Sequence, residues 1–326
     1  MEFLTIILPV YNASSKLDEC IKSLNNQSNL NFKCIFIDDK STDDSIQKLQ
    51  KSLIDSKFVY SIIMNDINLG PGGTRNRGLT LADTNYVMFL DIDDYIDLQT
   101  IEDIECILKS YQYDAVLFDY NIIGKIVLKK SQFSSSTDEG EVSPEHAFLK
   151  MSGSTLGKVY KREIISKNNL QFLNIIRNED YGFNKTVISR CNKIYYLKKN
   201  LYMYVMHKDS LVHKPELLDF NNTILAFEYI SKHIPSNFND LLSVLKVQNL
   251  LISRISYMVL KKYSIKQIKE YTREYLKSND IVFIIKRRLL GSKEIYFLKK
   301  LNKDRYLNIV FYFKLKMLVQ KILNYR

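Results

Sequence analysis

Short apolar segments alternate with amphipathic segments along roughly the first 120 residues of the chain. Apolar runs with the length of buried strands occur at 5–10, 34–37, 58–64, 86–90 and 115–120. Between them apolar residues recur at helical spacing, which predicts helices that include 17–24, 46–53, 73–82 and 98–110. This alternation predicts an α/β fold with a mostly parallel sheet and helices on both faces.

The remaining sequence is patterned differently. Residues 121–156 are less regular and contain a hairpin pattern, and 158–200 contain a helix, an acidic turn and a strand at 193–197. From about Pro215 the pattern is helical to the end. The sequence therefore predicts a first part over 1–214 and a helical C-terminal region over 215–326. Near the start of the chain, Ser41 followed by Asp44 is the pattern of a capping box and predicts a helix start there.

Charge is distributed unevenly along the chain. The net charge is +11, yet from Lys286 onward there are 12 Lys and Arg against 2 acidic residues. This tail mixes aliphatic and aromatic residues with cations, as an interfacial helix does. Two interpretations stay open: attraction to an anionic membrane surface, or a helix that packs on the protein or forms a homodimer contact. Nucleic acid is not expected as a partner, because no recognition module accompanies the charge.

Composition narrows the class of protein. The four cysteines, Cys20, Cys34, Cys106 and Cys191, lack metal-ligand spacing and are expected to be reduced. No segment has the roughly 18 to 20 apolar residues that span a bilayer, and the first residues lack the basic region of a signal peptide. We expect a cytoplasmic location, which the basic tail would extend to the inner face of the membrane.

Acidic residues follow two of the predicted strands. Asp38 and Asp39 follow the second strand, and Asp91, Asp93 and Asp94 follow the fourth. In parallel sheets, ligands bind outside the carboxyl ends of the strands. If the strand continues, Asp91 and Asp93 face the same side, and such carboxylates suit Mg²⁺ or Mn²⁺ with a substrate phosphate. The alternative is a solvated loop with incidental acids.

The glycine-rich segment GPGGTRNRG at 70–78 excludes two nucleotide motifs. It lacks the Gly-Lys-Ser/Thr ending of a P-loop and does not match Gly-x-Gly-x-x-Gly. A nicotinamide-dependent enzyme is therefore disfavoured.

Five segments in order resemble family 2 glycosyltransferases of the GT-A fold. They are ILPVYNASSKLDECIKSLNNQ (7–27), FKCIFIDDKSTDDS (32–45), NLGPGGTRNRGL (68–79), YVMFLDIDDY (86–95) and RNEDYGFN (177–184). The resemblance implies a Rossmann-like GT-A catalytic domain over 1–214, with nucleotide-sugar binding in 1–120 and the acceptor side in 121–214. It also implies an inverting enzyme that uses a UDP-sugar donor.

The resemblance assigns a donor site to the ends of the first strands. The turn at Pro9, Tyr11 and Asn12 would border uracil, and Asp39 would accept the uracil N3–H. A cap for the following helix is the alternative role of Asp39. Arg75 would contact the nucleotide or its diphosphate, as a planar guanidinium can.

The aspartate motif would hold the metal and the ribose. Asp93 would bind Mn²⁺ or Mg²⁺, with Asp91 beside it and near the ribose. Asp94 would support the metal ligands without binding the metal, or it would cap the next helix. His207 would contact the diphosphate or complete the metal site, although a lone histidine is more often structural.

The fifth motif would supply the base. Asp180 matches the catalytic aspartate of the family, and Glu179 beside it is the second candidate. The alternative is that both are acids favoured at a helix N-terminus. Relatives often carry Trp before the Lys of the GKVYKRE-like segment, where this chain has Gly157, and this departure concerns the acceptor pocket.

The function implied is transfer of a hexose or N-acetylhexosamine to a hydroxyl of a glycan or lipid-linked glycan acceptor in cell-surface polysaccharide or glycoconjugate synthesis. The alternative is a non-catalytic nucleotide-sugar binding protein, or a nucleotidyltransferase on a similar sheet.

Overall fold

The computed structural model describes residues 2–133, 137–207, 220–278, 300, 306–309 and 311–313. Its strands are β1 (Leu4–Val10), β2 (Phe32–Asp38), β3 (Val59–Met64), β4 (Tyr86–Phe89), β5 (Tyr95–Ile96), β6 (Ala115–Ile123), β7 (Val127–Lys130), β8 (Gly140–Val142), β9 (Lys158–Lys161) and β10 (Ile194–Val205). Its α-helices are α1 (Asp18–Asn25), α2 (Ser45–Ser52), α3 (Gly70–Leu81), α4 (Thr100–Ser110), α5 (Pro144–Lys150), α6 (Arg162–Lys167), α7 (Glu179–Ser189), α8 (Phe220–His233), α9 (Asn239–Lys246), α10 (Arg254–Leu260) and α11 (Ile265–Ser278). A 3₁₀ turn at Ser236–Phe238 and a π-helical turn at Val247–Ser253 lie between these helices.

All of the strands belong to one sheet, in the order β3-β2-β1-β4-β9-β6-β10-β5, with β7 on β6 and β8 on β10. The first four strands along this order are parallel. Strand β9 then enters antiparallel between β4 and β6, and β10 returns parallel to β6. The predicted α/β fold is confirmed, with a sheet that is parallel in its first half and mixed beyond it.

Strands β1, β2 and β4 of the parallel half are buried, whereas the edge strand β3 is largely exposed. Strand β1 has Leu4, Ile6, Ile7 and Leu8 fully buried, because α-helices cover both sides of a crossover sheet. This burial explains why its sequence is a continuous apolar run and does not alternate. The core of this half therefore fixes the strand ends at which the acidic residues lie.

The predicted capping box at Ser41 is wrong. Helix α2 begins at Ser45, and its N-cap residue Asp44 makes no side-chain cap hydrogen bond. The Oγ of Ser41 instead accepts a hydrogen bond from the N–H of Asn12 (3.0 Å). Ser41 thus contacts the turn after β1, which is distant in sequence, instead of capping the helix that follows it.

Helix α7 is buried around most of its surface and carries polar groups into the interior. The hydroxyl of Tyr160 donates to Asn184 Oδ1 (2.8 Å), and Lys185 Nζ donates to the carbonyls of Phe148 (2.6 Å) and Met151 (3.0 Å). Buried polar side chains are stabilised only when they are hydrogen-bonded, and these are. Because the acidic motif begins α7, this packing positions the motif firmly.

The chain divides into two compact units, Met1–Ile234 and Pro235–Arg326. Helix α8 therefore belongs to the first unit, although the sequence pattern placed it in the C-terminal region. The described part of the second unit is helical, and the C-terminal helical region is thus confirmed. Most of the basic tail from Lys286 lies outside the described residues. Across the described part of the chain, no helix combines the length and apolar character required to cross a bilayer.

Candidate active site

The ends of β1, β2 and β4 lie side by side at one edge of the sheet. The N–H of Asp39 donates to the carbonyl of Val10 (2.8 Å), and the N–H of Leu90 donates to the carbonyl of Ile7 (3.1 Å). This register places the turns after the three strands next to one another. The sequence-predicted residues of the first, second and fourth motifs therefore share one edge.

The turn after β1 exposes an aromatic ring. Asn12 adopts a positive φ of 46°, a conformation in which asparagine is favoured among side chains larger than glycine. Its Oδ1 accepts from the N–H of Thr42 (2.8 Å), which ties the turn to the loop before α2. Tyr11 is left 51% exposed. Asn12 thus shapes the turn, while Tyr11 is free to stack on a planar ligand.

Asp39 is buried and fixes the start of α3. Its carboxylate accepts hydrogen bonds from Asn65 Nδ2 (2.8 Å), the N–H of Leu69 (2.7 Å) and the N–H of Gly70 (2.8 Å). The alternative that Asp39 caps α2, the helix that follows it, is therefore wrong. Asp39 instead binds the start of α3. A carboxylate has about four acceptor positions, so one remains for a ligand.

Arg75 joins the aspartate motif after β4 to the acidic motif at the start of α7. Its Nη2 lies 2.7 Å from Asp91 Oδ1, and its Nη1 lies 3.2 Å from Glu179 Oε1. The guanidinium also lies over the ring of Phe172, 5.6 Å from the ring centroid. Burial acts against its charge, but Asp91 and Glu179 outweigh burial and raise the pKa of Arg75. No local pattern indicated this bridge, because its partners are far apart along the chain.

The neighbouring Asn76 strengthens the same connection. Its Nδ2 donates to the carbonyl of Phe172 (2.8 Å), and its Oδ1 accepts from the N–H of Phe172 (2.8 Å). A side-chain amide that pairs with both backbone groups of one residue holds that segment in a single register. The Arg-Asn pair therefore clamps the segment that leads to α7.

The aspartate motif is a turn and not a continued strand. Strand β4 ends at Phe89, and the N–H of Asp94 donates to the carbonyl of Asp91 (3.0 Å). The strand-geometry argument for Asp91 and Asp93 is therefore wrong. The carboxylate of Asp91 accepts from Arg75, whereas Asp93 faces His207.

Asp94 anchors β10 and is not a helix cap, since α4 begins only at Thr100. Its Oδ2 accepts from the Tyr202 hydroxyl (2.7 Å), and its Oδ1 accepts from the N–H of Val205 (2.8 Å). Burial and the nearby Asp91 raise the pKa of Asp94 well above its usual range. Asp94 thereby places the end of β10 against the aspartate turn.

This anchor brings His207 to Asp93. The Nε2 of His207 lies 3.5 Å from Asp93 Oδ2, and it is buried without a hydrogen-bond partner among the residues that the structure describes. Burial and Asp91 raise the pKa of Asp93, while His207 acts to lower it. A carboxylate beside an imidazole nitrogen that lacks a partner fits a divalent cation. The described residues contain no cluster of three or more metal-ligating side chains, so phosphate and water would supply the other ligands.

Glu179 and Asp180 begin α7 and differ in their surroundings. Glu179 is buried against Arg75; burial and Asp180 raise its pKa to about 7, although Arg75 acts to lower it. Asp180 is half-buried, and its Oδ1 accepts from the N–H of Tyr181 (2.7 Å). Burial raises the pKa of Asp180 too, while Arg75 acts to lower it. Carboxylates with raised pKa values are suited to accept protons near neutral pH.

Two buried lysines, Lys158 of β9 and Lys185 of α7, were not predicted. Lys158 Nζ donates to Gln132 Oε1 (3.0 Å) and to the carbonyl of Leu156 (3.1 Å), and burial together with Lys185 lowers its pKa to about 7. Asp180 acts on Lys158 in the opposite direction. No local pattern indicated this burial, because KVYK at 158–161 does not resemble a buried strand and lysines are rarely fully buried.

Gly157 is required by the backbone around it. Its φ is +65°, and a Cβ added there would lie 2.2 Å from the carbonyl oxygen of Phe118. A tryptophan at this position would clash with the backbone of β6. The backbone around Gly157 therefore explains why this chain lacks the tryptophan that relatives often carry at this position.

Comparison with known proteins matches the first four motifs to a family. Residues 5–163 match the sequence model described as glycosyl transferase family 2. Glycosyltransferase GlyA of Streptococcus pneumoniae is 30% identical over 223 residues, which cover 64% of this chain and 31% of GlyA. Poly(ribitol-phosphate) beta-N-acetylglucosaminyltransferase TarS of Staphylococcus aureus is 25% identical over 209 residues, which cover 63% of this chain and 36% of TarS. The chain spans about a third of the length of these relatives.

Solved structures show the same fold. The crystal structure of S. aureus TarS 1-349 in complex with UDP-GlcNAc has a TM-score of 0.74 at 20% identity and covers 95% of this chain and 90% of that chain. Mannosyltransferase PcManGT from Pyrobaculum calidifontis, in complex with GDP-Man and Mn²⁺, has a TM-score of 0.55 at 15% identity and covers 74% of this chain and 68% of that chain. The GT-A fold expected from the sequence is thereby confirmed.

Proposed function

We propose that this chain, which belongs to glycosyl transferase family 2, transfers a hexose or N-acetylhexosamine from a UDP-sugar to a hydroxyl group of a glycan acceptor. The observation that carries the proposal is the bridge of Arg75 to Asp91 and Glu179. This bridge brings the aspartate turn after β4 and the start of α7 into one site. A nucleotide-sugar bound at the aspartate turn would present its sugar to a carboxylate at the start of α7.

The donor side fits a uridine nucleotide. The exposed ring of Tyr11 offers a stacking surface at the end of β1, between Pro9 within the strand and Asn12 in the turn. The remaining acceptor position of Asp39 would receive the uracil N3–H, a contact that complements a ring donor. The similar TarS structure is a complex with UDP-GlcNAc, which supports UDP-GlcNAc as the first donor to test.

Arg75 and Asp91 would act together on the donor. Arg75 is buried and its guanidinium binds Asp91 and Glu179, so its proposed contribution to nucleotide-sugar binding runs through Asp91, which it orients toward the ribose. Asp94 would contribute in a similar way, because it holds the turn to β10. Arg75 and Asp94 thus belong to the proposed donor site because they support the aspartate turn.

Asp93 and His207 would hold Mn²⁺ or Mg²⁺, with Asp91 nearby. When bound, such a cation supplies a positive charge that stabilises the leaving diphosphate. The PcManGT structure is a complex with GDP-Man and Mn²⁺, which supports Mn²⁺ as the first cation to test. The protein's own part is to keep the imidazole beside the carboxylate through the bond from Val205 to Asp94.

Asp180 is the proposed base. Inversion requires the acceptor hydroxyl to attack opposite the leaving UDP, and a carboxylate takes its proton during attack. Glu179 is held by Arg75, whereas Asp180 keeps one carboxylate oxygen outside its bond to the N–H of Tyr181. Positive charge that develops on the sugar ring, as in glycoside hydrolysis, would be stabilised by these acids.

The acceptor proposed is a glycan or lipid-linked glycan used in cell-surface polymer synthesis. Two of the similar proteins are poly(ribitol-phosphate) glycosyltransferases, which supports acceptors of this class. The alternative acceptors share one chemical feature, a free hydroxyl presented beside Asp180.

A panel of UDP-glucose, UDP-N-acetylglucosamine, UDP-galactose and UDP-N-acetylgalactosamine tests the proposal, with Mn²⁺ present and UDP release measured. We expect release from one donor, about 100-fold or more slower in Asp180→Asn. Asp138→Asn, whose side chain is 97% exposed, is the matched control and should keep full activity. Binding of UDP-sugars without release would instead indicate a binding protein, and formation of diphosphate from UTP and a sugar phosphate would indicate a nucleotidyltransferase.

A further inference from the structure

The hairpin formed by β6 and β7 has an apolar tip in contact with solvent. Ile126 is 69% exposed, Val127 58% and Leu128 43%. Every residue from Gly124 to Lys130 is exposed. Three consecutive exposed aliphatic residues are costly in water and mark a contact surface. The segment Asn121–Lys130 is called the β6–β7 hairpin below.

The charges of this hairpin have one sign. Lys125, Lys129 and Lys130 flank the apolar tip, and the sequence has no acidic residue from Asn121 to Phe133. None of the three ammonium groups forms an ion pair with a described residue. An apolar tip with unneutralised cations complements a surface that is apolar inside and anionic at its boundary.

The hairpin rises from the ligand edge of the sheet. The N–H of Met206 donates to the carbonyl of Ile123 (2.8 Å), and Ile123 pairs with Val205. Val205 is the residue that binds Asp94, and His207 follows Met206 directly. Met206 is itself 42% exposed and extends the apolar surface toward the site.

We propose that the β6–β7 hairpin docks on an anionic lipid surface, with Ile126, Val127 and Leu128 among the headgroups and the three lysines on lipid phosphates. A soluble polyanion would engage the lysines but leave the aliphatic tip in water, so the apolar residues favour lipid. Docking here would turn the edge of the sheet that carries Asp93 and His207 toward the membrane. Resting on the proposed function, this orientation implies an acceptor that is carried on a lipid.

The absence of tryptophan from the chain allows a local test. Ile126→Trp in the full-length protein gives one tryptophan at the tip, and its emission is recorded with vesicles of equal parts phosphatidylcholine and phosphatidylglycerol. We expect a blue shift and quenching by brominated lipid. The matched control is Ile54→Trp, which places the reporter at a 74% exposed site after α2 and should show neither change.

The lysines are tested in the same background. Lys125→Glu, Lys129→Glu and Lys130→Glu together should weaken vesicle binding by about 100-fold, while UDP release with a water-soluble acceptor stays unchanged. Because vesicle binding needs no turnover, failure of docking is distinguishable from failure of the proposed function.

Three results would overturn the proposal. One is unchanged emission of the Ile126→Trp variant on vesicles that the protein nevertheless binds, which would assign binding to another segment. Another is no vesicle binding at all. The third is an emission change with soluble polyphosphate but not with vesicles, which would identify the hairpin as a polyanion site.

Discussion

The guanidinium of Arg75 donates a hydrogen bond to Glu179 (3.2 Å), which joins the glycine-rich helix α3 to the start of α7 across 104 residues of sequence. The same guanidinium binds Asp91 at 2.7 Å. One buried cation thus holds two carboxylates from separate motifs on either side of it. The positions of the aspartate turn and of the start of α7, where the proposed base lies, depend on this one side chain.

Replacing Arg75 should destabilise the fold strongly. Arg75→Met leaves Asp91 and Glu179 without their partner, and removing one side of a buried ion pair costs about 3 kcal/mol. Urea unfolding measures this loss. Lys109→Met is the control, because Lys109 pairs with Glu105 from a side chain that is 71% exposed and should cost less than about 1 kcal/mol. Equal losses in the two variants would show that the bridge contributes little.

The free energy of unfolding should depend on pH through the ionisation of Glu179. Burial and Asp180 raise its pKa from 4.5 to about 7, so the native state keeps a proton that the unfolded state has already released. The free energy of unfolding should therefore fall as pH rises from about 4.5 to about 7. Glu179→Gln should remove up to about 3 kcal/mol of this fall.

Unfolding of both proteins at pH 5 and at pH 8 measures this difference. Glu163→Gln serves as the control, because Lys167 lowers the pKa of Glu163 and this group stays ionised over the whole interval. Its pH dependence should match that of the unchanged protein. Identical curves for Glu179→Gln and the unchanged protein would contradict the assigned pKa.

The hydroxyl of Tyr202 should contribute measurably to stability. It donates to Asp94 and accepts from the N–H of Asp91 (3.3 Å), so it links β10 to the aspartate turn. Tyr202→Phe should lower the free energy of unfolding by about 1 to 3 kcal/mol. Tyr60→Phe, on the exposed strand β3, should change it by about 0.5 kcal/mol or less. Two equally small effects would rule out Tyr202 as the anchor of the turn.

Gly157 should tolerate no side chain. Gly157→Ala combines a positive φ with a clash against Phe118, so it should cost more than about 1 kcal/mol of unfolding free energy. Gly124→Ala is the matched control, since the nearest atom to its new Cβ would be Met206 Sδ at 3.7 Å. Thermal unfolding of both variants gives the comparison. A Gly157→Ala protein as stable as the control would show that β9 can shift locally.

The parallel half of the fold was predictable because its signals are local. Strands such as β1 and β2 are continuous apolar runs, and their burial on both faces requires that pattern. Strand β9 was missed because four residues with a lysine at each end do not resemble a buried strand. Its insertion between β4 and β6 is decided by packing partners that no short segment contains.

The candidate site was predictable as a set of residues but not as a set of contacts. The sequence indicated Asp39 and Arg75, yet their partners Leu69, Gly70 and Glu179 lie 30 to 104 residues away. The turn geometry of Asp91 to Asp94 depends on Tyr202 and Val205 of β10, which local strand geometry does not include. Tertiary contacts therefore decide which carboxylate faces His207 and which supports the turn.

The central claim is that the aspartate turn and His207 receive the diphosphate of a uridine nucleotide with its cation. A crystal structure of the protein with UDP and Mn²⁺, with the metal located by its anomalous signal, tests this most directly. We predict a Mn²⁺ peak in contact with Asp93 and His207 and a uracil ring against Tyr11. UDP bound elsewhere, or bound without a metal peak between Asp93 and His207, would contradict the claim.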